Sequence, residues 1–359
     1  MTALGDGVQL WPKLAFAAIV TGAALGLAAS GAVVSLDRML ADQRFEFTDR
    51  AASGRTAFVD IDSASLSEVG VWPWPRQVYA DLLDRLMAAG AEEVAFDIDF
   101  SNRSEAAGDA AFAAALEAAG GYAFLAAFEQ HDGATARRIL NRPIEAFAQF
   151  AEPVAVNVIA GDDGRVDRVA TQTQGINSMA VALSGRDVAE PTIAIDFGID
   201  LRTVDRISAA DILADRVDPA RLVGRQMVVG ASAIELRDIF AVPRFGLTPG
   251  PLVQIAAVET LRADRALTSL GLLPAGIATI LAAVGWAMFG ARFPLPAISA
   301  WAAGSAVVLE AAALLAQTAF AITFTTSPLL LALPMLVGLD SAARFYAEYR
   351  RRRLAWQKL

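Results

Sequence analysis

The chain has 359 residues, of which 55% are hydrophobic and only 19% are charged, and its mean hydropathy is +0.44. This composition is too apolar for an ordinary soluble enzyme and indicates membrane-spanning segments. The net charge of −9 disfavours a nucleic-acid partner, since phosphate binding needs clustered Lys and Arg. The chain has no cysteine and one histidine, His131, which excludes disulfides and thiolate sites and leaves little material for a serine–histidine triad.

Four segments are predicted to cross a membrane as helices, because each is about 20 residues long and carries at most one charge. They are residues 14–36, 270–291, 293–315 and 319–339. The first segment also has features of a cleaved signal peptide, with small residues near its end, but its length favours an uncleaved span. Both interpretations place the region that follows it outside the cytoplasm.

The charge distribution predicts the orientation. Residues 37–268 hold 35 acidic and 22 basic side chains, whereas the rest of the chain holds 4 acidic and 8 basic ones. Arg292 lies between the second and third predicted spans, and Arg350–Arg353 follow the last. Cytoplasmic loops of membrane proteins are enriched in Arg and Lys. We therefore expect residues 1–13 to be cytoplasmic and residues 37–268 to form an extracytoplasmic domain. Residues 340–359 are expected to form a basic cytoplasmic helix that contacts membrane lipid.

The large domain alternates strands and helices. Residues 56–62 and 92–100 are predicted as strands, and residues 76–91 between them as a helix, which gives two parallel strands and a right-handed crossover. Further predictions are helices at 109–119 and 252–261 and strands at 122–128, 153–160, 192–197 and 226–229. The expected fold class is therefore an α/β extracytoplasmic domain with a mixed or mostly parallel sheet, joined to a bundle of four transmembrane helices.

Two pairs of aspartates end the first two predicted strands. Asp60 and Asp62 close one strand, Asp97 and Asp99 close the other, and parallel strands bring their carboxyl ends to one sheet edge. One interpretation is a site for Ca²⁺ or Mg²⁺, which prefer oxygen ligands. The other is that these carboxylates cap helices and pair with arginines such as Arg76.

The segment "GVWPWPR" lies between the first strand and the following helix. Pro73 and Pro75 restrict the backbone, and Trp72 and Trp74 offer large apolar surfaces. We expect a rigid aromatic lid over the acidic edge, and only secondarily a wall of a ligand site. Arg76 is expected to reach Asp62 or Asp97, and Trp72→Ala to lower the melting temperature by several degrees.

Features within the predicted spans suggest helix contacts. Glu310 is costly in lipid, so it is expected to face another helix or a partner subunit. Gly22, Gly26 and Ser30 recur at intervals of four, a pattern that allows close helix packing and is consistent with a homodimer.

Several segments in combination resemble the type-two CHASE domain, a sensor module of bacterial transmembrane receptors. They are "FVDIDSASLSEVGVWPWPR", "YADLLDRLMAAGAEEVAFDIDFS", "GDAAFAAAL" with Asp109, and "LVGRQMVVGASAIELRDIF" with Asp238. The resemblance covers residues 37–268 plus the flanking spans, since one span before the domain and three after it are also the layout of the family, and it implies a multi-pass protein of the bacterial inner membrane. It also implies that an extracytoplasmic signal is passed to a cytoplasmic cyclase, cyclic-di-GMP enzyme or histidine kinase. A histidine usual in the family before the last helix of the domain is missing from "PGPLVQIAA" (249–257).

The leading hypothesis is a sensor and transmembrane module without catalytic activity of its own. Its expected partners are lipid, an unknown extracytoplasmic ligand, a second copy of the chain, and an output domain beyond Leu359 or on another protein. The alternative is a membrane-anchored extracytoplasmic hydrolase that uses the aspartates as metal ligands. The candidate site residues are Asp60, Asp62, Asp97, Asp99, Asp109, Arg76 and Asp238, with Trp72 and Trp74 as the aromatic lid.

Overall fold

The computed structural model describes residues 5–70, 72–131, 138–161 and 163–356. The chain divides into two units. The helical unit comprises Met1–Arg44 and Thr268–Leu359, and the α/β unit comprises Phe45–Leu267.

Helices and strands alternate through the α/β unit, whereas the helical unit consists mostly of helices. The helices are α1 Gly5–Ala29, α2 Val34–Glu46, α3 Ser63–Val69, α4 Arg76–Ala88, α5 Ala106–Ala118, α6 Glu145–Ala148, α7 Met179–Ser184, α8 Ala209–Leu213, α9 Gly250–Arg262, α10 Leu273–Phe289, α11 Leu295–Phe320 and α12 Ser327–Trp356. The strands are β1 Arg50–Ala51, β2 Thr56–Ile61, β3 Glu93–Phe96, β4 Ala123–His131, β5 Arg138–Asn141, β6 Glu152–Ala155, β7 Val158–Ala160, β8 Val166–Ala170, β9 Gln172–Thr173, β10 Ile176–Asn177, β11 Thr192–Ala194, β12 Ile199–Asp200, β13 Arg206–Ser208, β14 Gln226–Ala231, β15 Ile239–Val242, β16 Gly246–Pro249, β17 Thr268–Ser269 and β18 Ile322–Thr323.

A parallel sheet forms the centre of the α/β unit, in the order β13-β2-β14-β3-β4-β6. Strand β5 pairs antiparallel with the end of β4. Strand β14 lies between β2 and β3, so the crossover through α4 passes over a strand that comes much later in the chain. Strands β2 and β14 are buried along their whole length, because helices cover both faces of the sheet. The prediction of an α/β domain with a mostly parallel sheet is confirmed.

Side chains that alternate along the strands build a separate core on each face. On one face, Val59 and Phe96 pack with Tyr79 and Leu83 of α4 and with Phe112 of α5. On the other face, the core contains Phe58, Val228 and residues of α7 and α9, and α9 is buried along nearly all of its length.

Three predicted strands are shorter or broken in the structure, and one of them, predicted at 192–197, ends at Ala194. The strand predicted at 92–100 ends at Phe96, so Asp97 and Asp99 lie in the segment after it. The strand predicted at 153–160 divides into β6, in the central sheet, and β7, in an antiparallel sheet with β8 and β11. The division falls at Asn157, whose side-chain amide bonds both backbone groups of Glu129 (2.7 and 2.8 Å) and replaces the strand ladder there.

Among the described residues, three helical segments are long and apolar enough to cross a membrane: Trp11–Ala29, Leu295–Phe320 and Ser327–Leu354. The predicted segment 270–291 is a helix over Leu273–Phe289 only, 17 residues or roughly 26 Å, and the predicted bundle of four spans is not confirmed. The helix is short because a turn at Gly271 (φ +58°) precedes it and a 3-10 turn, Gly290–Arg292, follows it. Helix α12 runs without a break through the boundary predicted near residue 340.

Candidate ligand pocket beside the Trp–Pro motif

The two tryptophans of the motif have different environments. Trp74 is only 3% exposed and belongs to the core, with its ring centroid 6.0 Å from that of Tyr79. Trp72 is half-buried, and its ring meets Trp74 edge-on at 5.7 Å. The Trp72–Pro73 peptide bond is cis, and Pro75 comes directly before the first residue of α4. Trp74 therefore fills the core, whereas Trp72 remains accessible.

A pocket of about 690 Å³ opens beside this motif. Its walls combine the aromatic rings of Trp72, Trp74 and Tyr79 with the start of α5 at Ala107 and Gly108. Four charged side chains of the segments around the pocket also line it, two of each sign: Arg76, Arg103, Asp99 and Glu105. An aromatic wall with a few polar groups at this volume is typical of sites for small organic molecules.

Arg76 is held at the side of this pocket. Its Nε lies 3.7 Å from Asp109 Oδ1, its Nη2 donates to the carbonyl of Asn102 (3.2 Å), and its guanidinium lies 4.5 Å from the centre of the Phe100 ring. Burial lowers the pKa of Arg76, and the nearby Asp109 and Asp99 oppose that shift. Asp109 in turn accepts a hydrogen bond from the backbone of Ser104 (3.0 Å).

The prediction that Arg76 reaches Asp62 or Asp97 is wrong. Its acidic partner is Asp109, because α5 packs closely on the start of α4. The closest approach is at Gly108, where an added Cβ would lie 3.3 Å from Arg76 Cβ.

Three buried polar atoms at or behind the pocket wall have no hydrogen-bond partner in the described part of the chain. They are Trp74 Nε1, Arg76 Nε and Asp109 Oδ1. Most buried polar groups in proteins are hydrogen-bonded, so unmatched donors and acceptors are notable where they gather. Arg76 Nε and Asp109 Oδ1 face each other as an ion pair, and Asp60 Oδ1 at the aspartate edge likewise has no hydrogen-bond partner among the described residues. The pocket and its aromatic and polar lining therefore mark the candidate site.

Asp60 and Asp62 are engaged within the fold. Asp60 is buried and accepts a hydrogen bond from Arg206 of the neighbouring strand β13 (2.6 Å). Asp62 caps α3 by accepting from the backbone of Ser65 (2.7 Å), and it also accepts from the hydroxyl of Ser208 (3.2 Å). Asp60 thus pairs with an arginine and Asp62 caps a helix, in line with the second interpretation of these aspartates.

Asp97 belongs to a different pair, with Asp238. Burial, and then the charge of Asp238, raises the pKa of Asp97 well above its usual range, and burial raises the pKa of Asp238 to about 6. The close fit explains the burial: an added Cβ at Gly250 would lie 2.4 Å from the Asp238 carboxylate, and one at Gly230 would lie 3.4 Å from Asp97 Cβ. Two neighbouring buried carboxyl groups disfavour the charged form, so the Asp97–Asp238 pair tends to keep a proton.

Asp99 is exposed, accepts a hydrogen bond from the backbone of Ser101 (2.8 Å) and lines the aromatic pocket. The predicted aspartate cluster is thus distributed over three surroundings. Among the residues that the structure describes, no group of three or more acidic or histidine side chains is arranged to hold a metal ion.

Sequence reasoning missed the residues that complete the pocket, namely Asn102, Arg103, Glu105 and the wall at Gly108. The signal was their position directly after a strand end that parallel topology brings to the ligand-binding edge of the sheet. Asp97 and Asp238 were both candidate site residues, but nothing in the sequence indicated that they form a pair, because the two residues are far apart in the chain.

The chain thus combines a parallel α/β domain, which has a pocket beside the Trp–Pro motif, with three helical segments long and apolar enough to cross a membrane among the described residues. The model of the CHASE2 domain matches residues 16–292, and the chain therefore belongs to the CHASE2 family, a sensor domain family of signalling receptors. No curated protein and no solved structure gives a significant match to the chain.

Proposed function

We propose that this protein is the sensor and transmembrane module of a bacterial receptor. In this proposal the α/β unit detects an extracytoplasmic signal, and the apolar helices pass it to a cytoplasmic output domain, without a catalytic step in this chain. The observation that carries the proposal is the pocket beside the Trp–Pro motif within a CHASE2 domain.

The pocket supports a small organic ligand as the signal. Trp72 offers a half-buried aromatic face, and Asn102, Arg103 and Glu105 offer exposed polar groups around it. Such a combination binds a molecule through an apolar face and a few directional hydrogen bonds. The proposed ligand site takes no metal ion.

The membrane arrangement in this proposal has four crossings, with α10 as the shortest. A helix of roughly 26 Å is a few ångströms shorter than the hydrocarbon core, and local thinning of the bilayer accommodates such a mismatch at small cost. The arginines at the end of α12 and Arg292 after α10 support a cytoplasmic position for both ends of the module.

A pocket-filling variant tests the ligand site without removing any core side chain. Ala107 is exposed and lines the pocket, whereas its neighbour Ala106 is exposed and does not line it. The full chain is fused after Leu359 to a diguanylate cyclase domain, and cyclic-di-GMP is measured in cells grown under varied conditions. We expect Ala107→Trp to abolish the variation in output that the unmodified fusion shows, and Ala106→Trp to preserve it.

The proposal fails if the output of the unmodified fusion and of the Ala107→Trp fusion respond identically to every condition. It also fails if both tryptophan variants abolish the response, because the pocket would then have no special role.

A further inference from the structure

Helix α2 is the connection between the first apolar helix and the α/β unit, which begins at Phe45. Within the helical unit, two of its charged side chains contact the apolar helices α11 and α12. Neither contact belongs to the pocket described above.

Asp37 of α2 caps the N-terminus of α12. Its Oδ1 accepts the backbone N–H groups of Thr326 (3.1 Å) and Ser327 (3.0 Å), and its Oδ2 accepts the hydroxyl of Ser327 (2.7 Å). These N–H groups have no partner within the helix, and Pro328, which follows, has no N–H to offer. Thr326 and Ser327 are fully buried, so the start of α12 depends on α2 for its hydrogen bonds.

Arg44, seven residues further along α2, neutralises the charge inside α11. It donates to Glu310 Oε2 from Nε (3.1 Å) and Nη2 (2.8 Å), and from Nη2 to the hydroxyl of Thr326 (2.9 Å). Glu310 lies ten residues, or about 15 Å, from the end of α11, where an unpaired carboxylate would be costly in lipid. Glu310 thus faces another helix, as expected from the sequence.

We propose that α2 is a transmission clamp that docks on α11 and α12 through Asp37 and Arg44. Thr326 is shared by both contacts, since its N–H bonds Asp37 and its hydroxyl bonds Arg44. A shift of α2 away from Thr326 therefore removes the cap of α12 and the partner of Glu310 together. The transmission role rests on the proposed sensor function, whereas the docked contact does not.

Hydrogen–deuterium exchange on the full chain in lipid nanodiscs tests the contact itself. Asp37→Ala removes the acceptor for both backbone N–H groups, and we expect exchange in the first turn of α12 to accelerate about fivefold or more. Ser327→Ala is the matched control, because it removes only the hydroxyl bond and leaves both backbone bonds to Oδ1. Asp37→Asn replaces the charged acceptor by one neutral oxygen and so weakens both backbone hydrogen bonds without removing them. We expect it to accelerate the exchange by about twofold, and it serves as the test if the alanine variant does not fold.

The cyclase fusion then tests transmission. We expect Asp37→Ala to change the basal cyclic-di-GMP output several-fold and Ser327→Ala to leave it close to that of the unmodified fusion.

Unchanged exchange in both Asp37 variants overturns the clamp, and faster exchange with unchanged output overturns its role in transmission. The proposed function fails separately. If Ala107→Trp has no effect on output while Asp37→Ala does, the ligand pocket is wrong and the clamp stands.

Discussion

Trp72 and Trp74 are two residues apart, yet they differ in exposure and therefore in role. The sequence predicted one shared function for them, an aromatic lid. The structure assigns core packing to Trp74, whose indole is enclosed, and leaves Trp72 at the pocket wall.

Trp74→Ala should destabilise the α/β unit by about 3–5 kcal/mol, as expected for removal of a buried aromatic side chain. Trp72→Ala should lower the free energy of unfolding by clearly less, because the Trp72 side chain is half-buried. Thermal unfolding of the purified full chain, followed by near-ultraviolet circular dichroism, measures both. Equal losses for the two variants would contradict the division of roles.

The Asp97–Asp238 pair predicts a specific pH dependence of stability. Burial raises the pKa of Asp238 to about 6 in the folded protein, whereas an unfolded aspartate titrates near pH ~4. The folded state therefore holds the proton more tightly, and the stabilisation that results is complete at acidic pH and is lost as the pH rises through about 6.

Asn has no charge to bury, so Asp238→Asn should raise the melting temperature at neutral pH. It should also make the melting temperature depend less on pH between the pKa of an unfolded aspartate and the folded value of about 6. Thermal scans of both proteins over that range measure the effect, with exposed Asp215→Asn as the control. A variant whose melting temperature falls in parallel with that of the unmodified protein would contradict the raised pKa.

At the scale of elements, the sheet brings β14 against the start of α9 at a glycine. A Cβ on Gly230 would lie 2.3 Å from Pro251 Cγ, which is closer than atoms can approach. Gly230→Ala must therefore separate strand and helix, and it should destabilise the protein by about 1–3 kcal/mol.

The matched control for this substitution is Gly304→Ala in α11, where an added methyl group meets no atom within 4 Å. Denaturant unfolding of the full chain in detergent compares the two variants. An equal effect of both substitutions would show that the contact between β14 and α9 can relax freely.

Local patterns were sufficient to predict the strands and helices around the motif, because α4 carries a clear helical periodicity and β2 is a short, mostly apolar segment. They were insufficient where a distant segment intervenes. The insertion of β14 between β2 and β3 and the pairing of Arg76 with Asp109 both depend on tertiary packing. The break in the strand predicted at 153–160 depends on one side chain, Asn157, that bonds the backbone of a neighbouring strand. Hydropathy likewise located α10 but did not reveal the turns that shorten it.

For the whole molecule, the proposed function requires that the pocket and the arginine-rich end of α12 lie on opposite sides of a membrane. The absence of cysteine makes this arrangement directly measurable, because any introduced thiol is unique. Leu247 of the α/β unit and Phe345 of α12 are each 77% exposed, so both sites suit labelling.

The decisive measurement is the labelling of single-cysteine variants in spheroplasts with a membrane-impermeant maleimide. The account predicts that Leu247→Cys is labelled while the inner membrane is intact, and that Phe345→Cys is labelled only after the membrane is permeabilised. Labelling of Phe345→Cys in intact spheroplasts, with Leu247→Cys protected, would contradict an extracytoplasmic sensor.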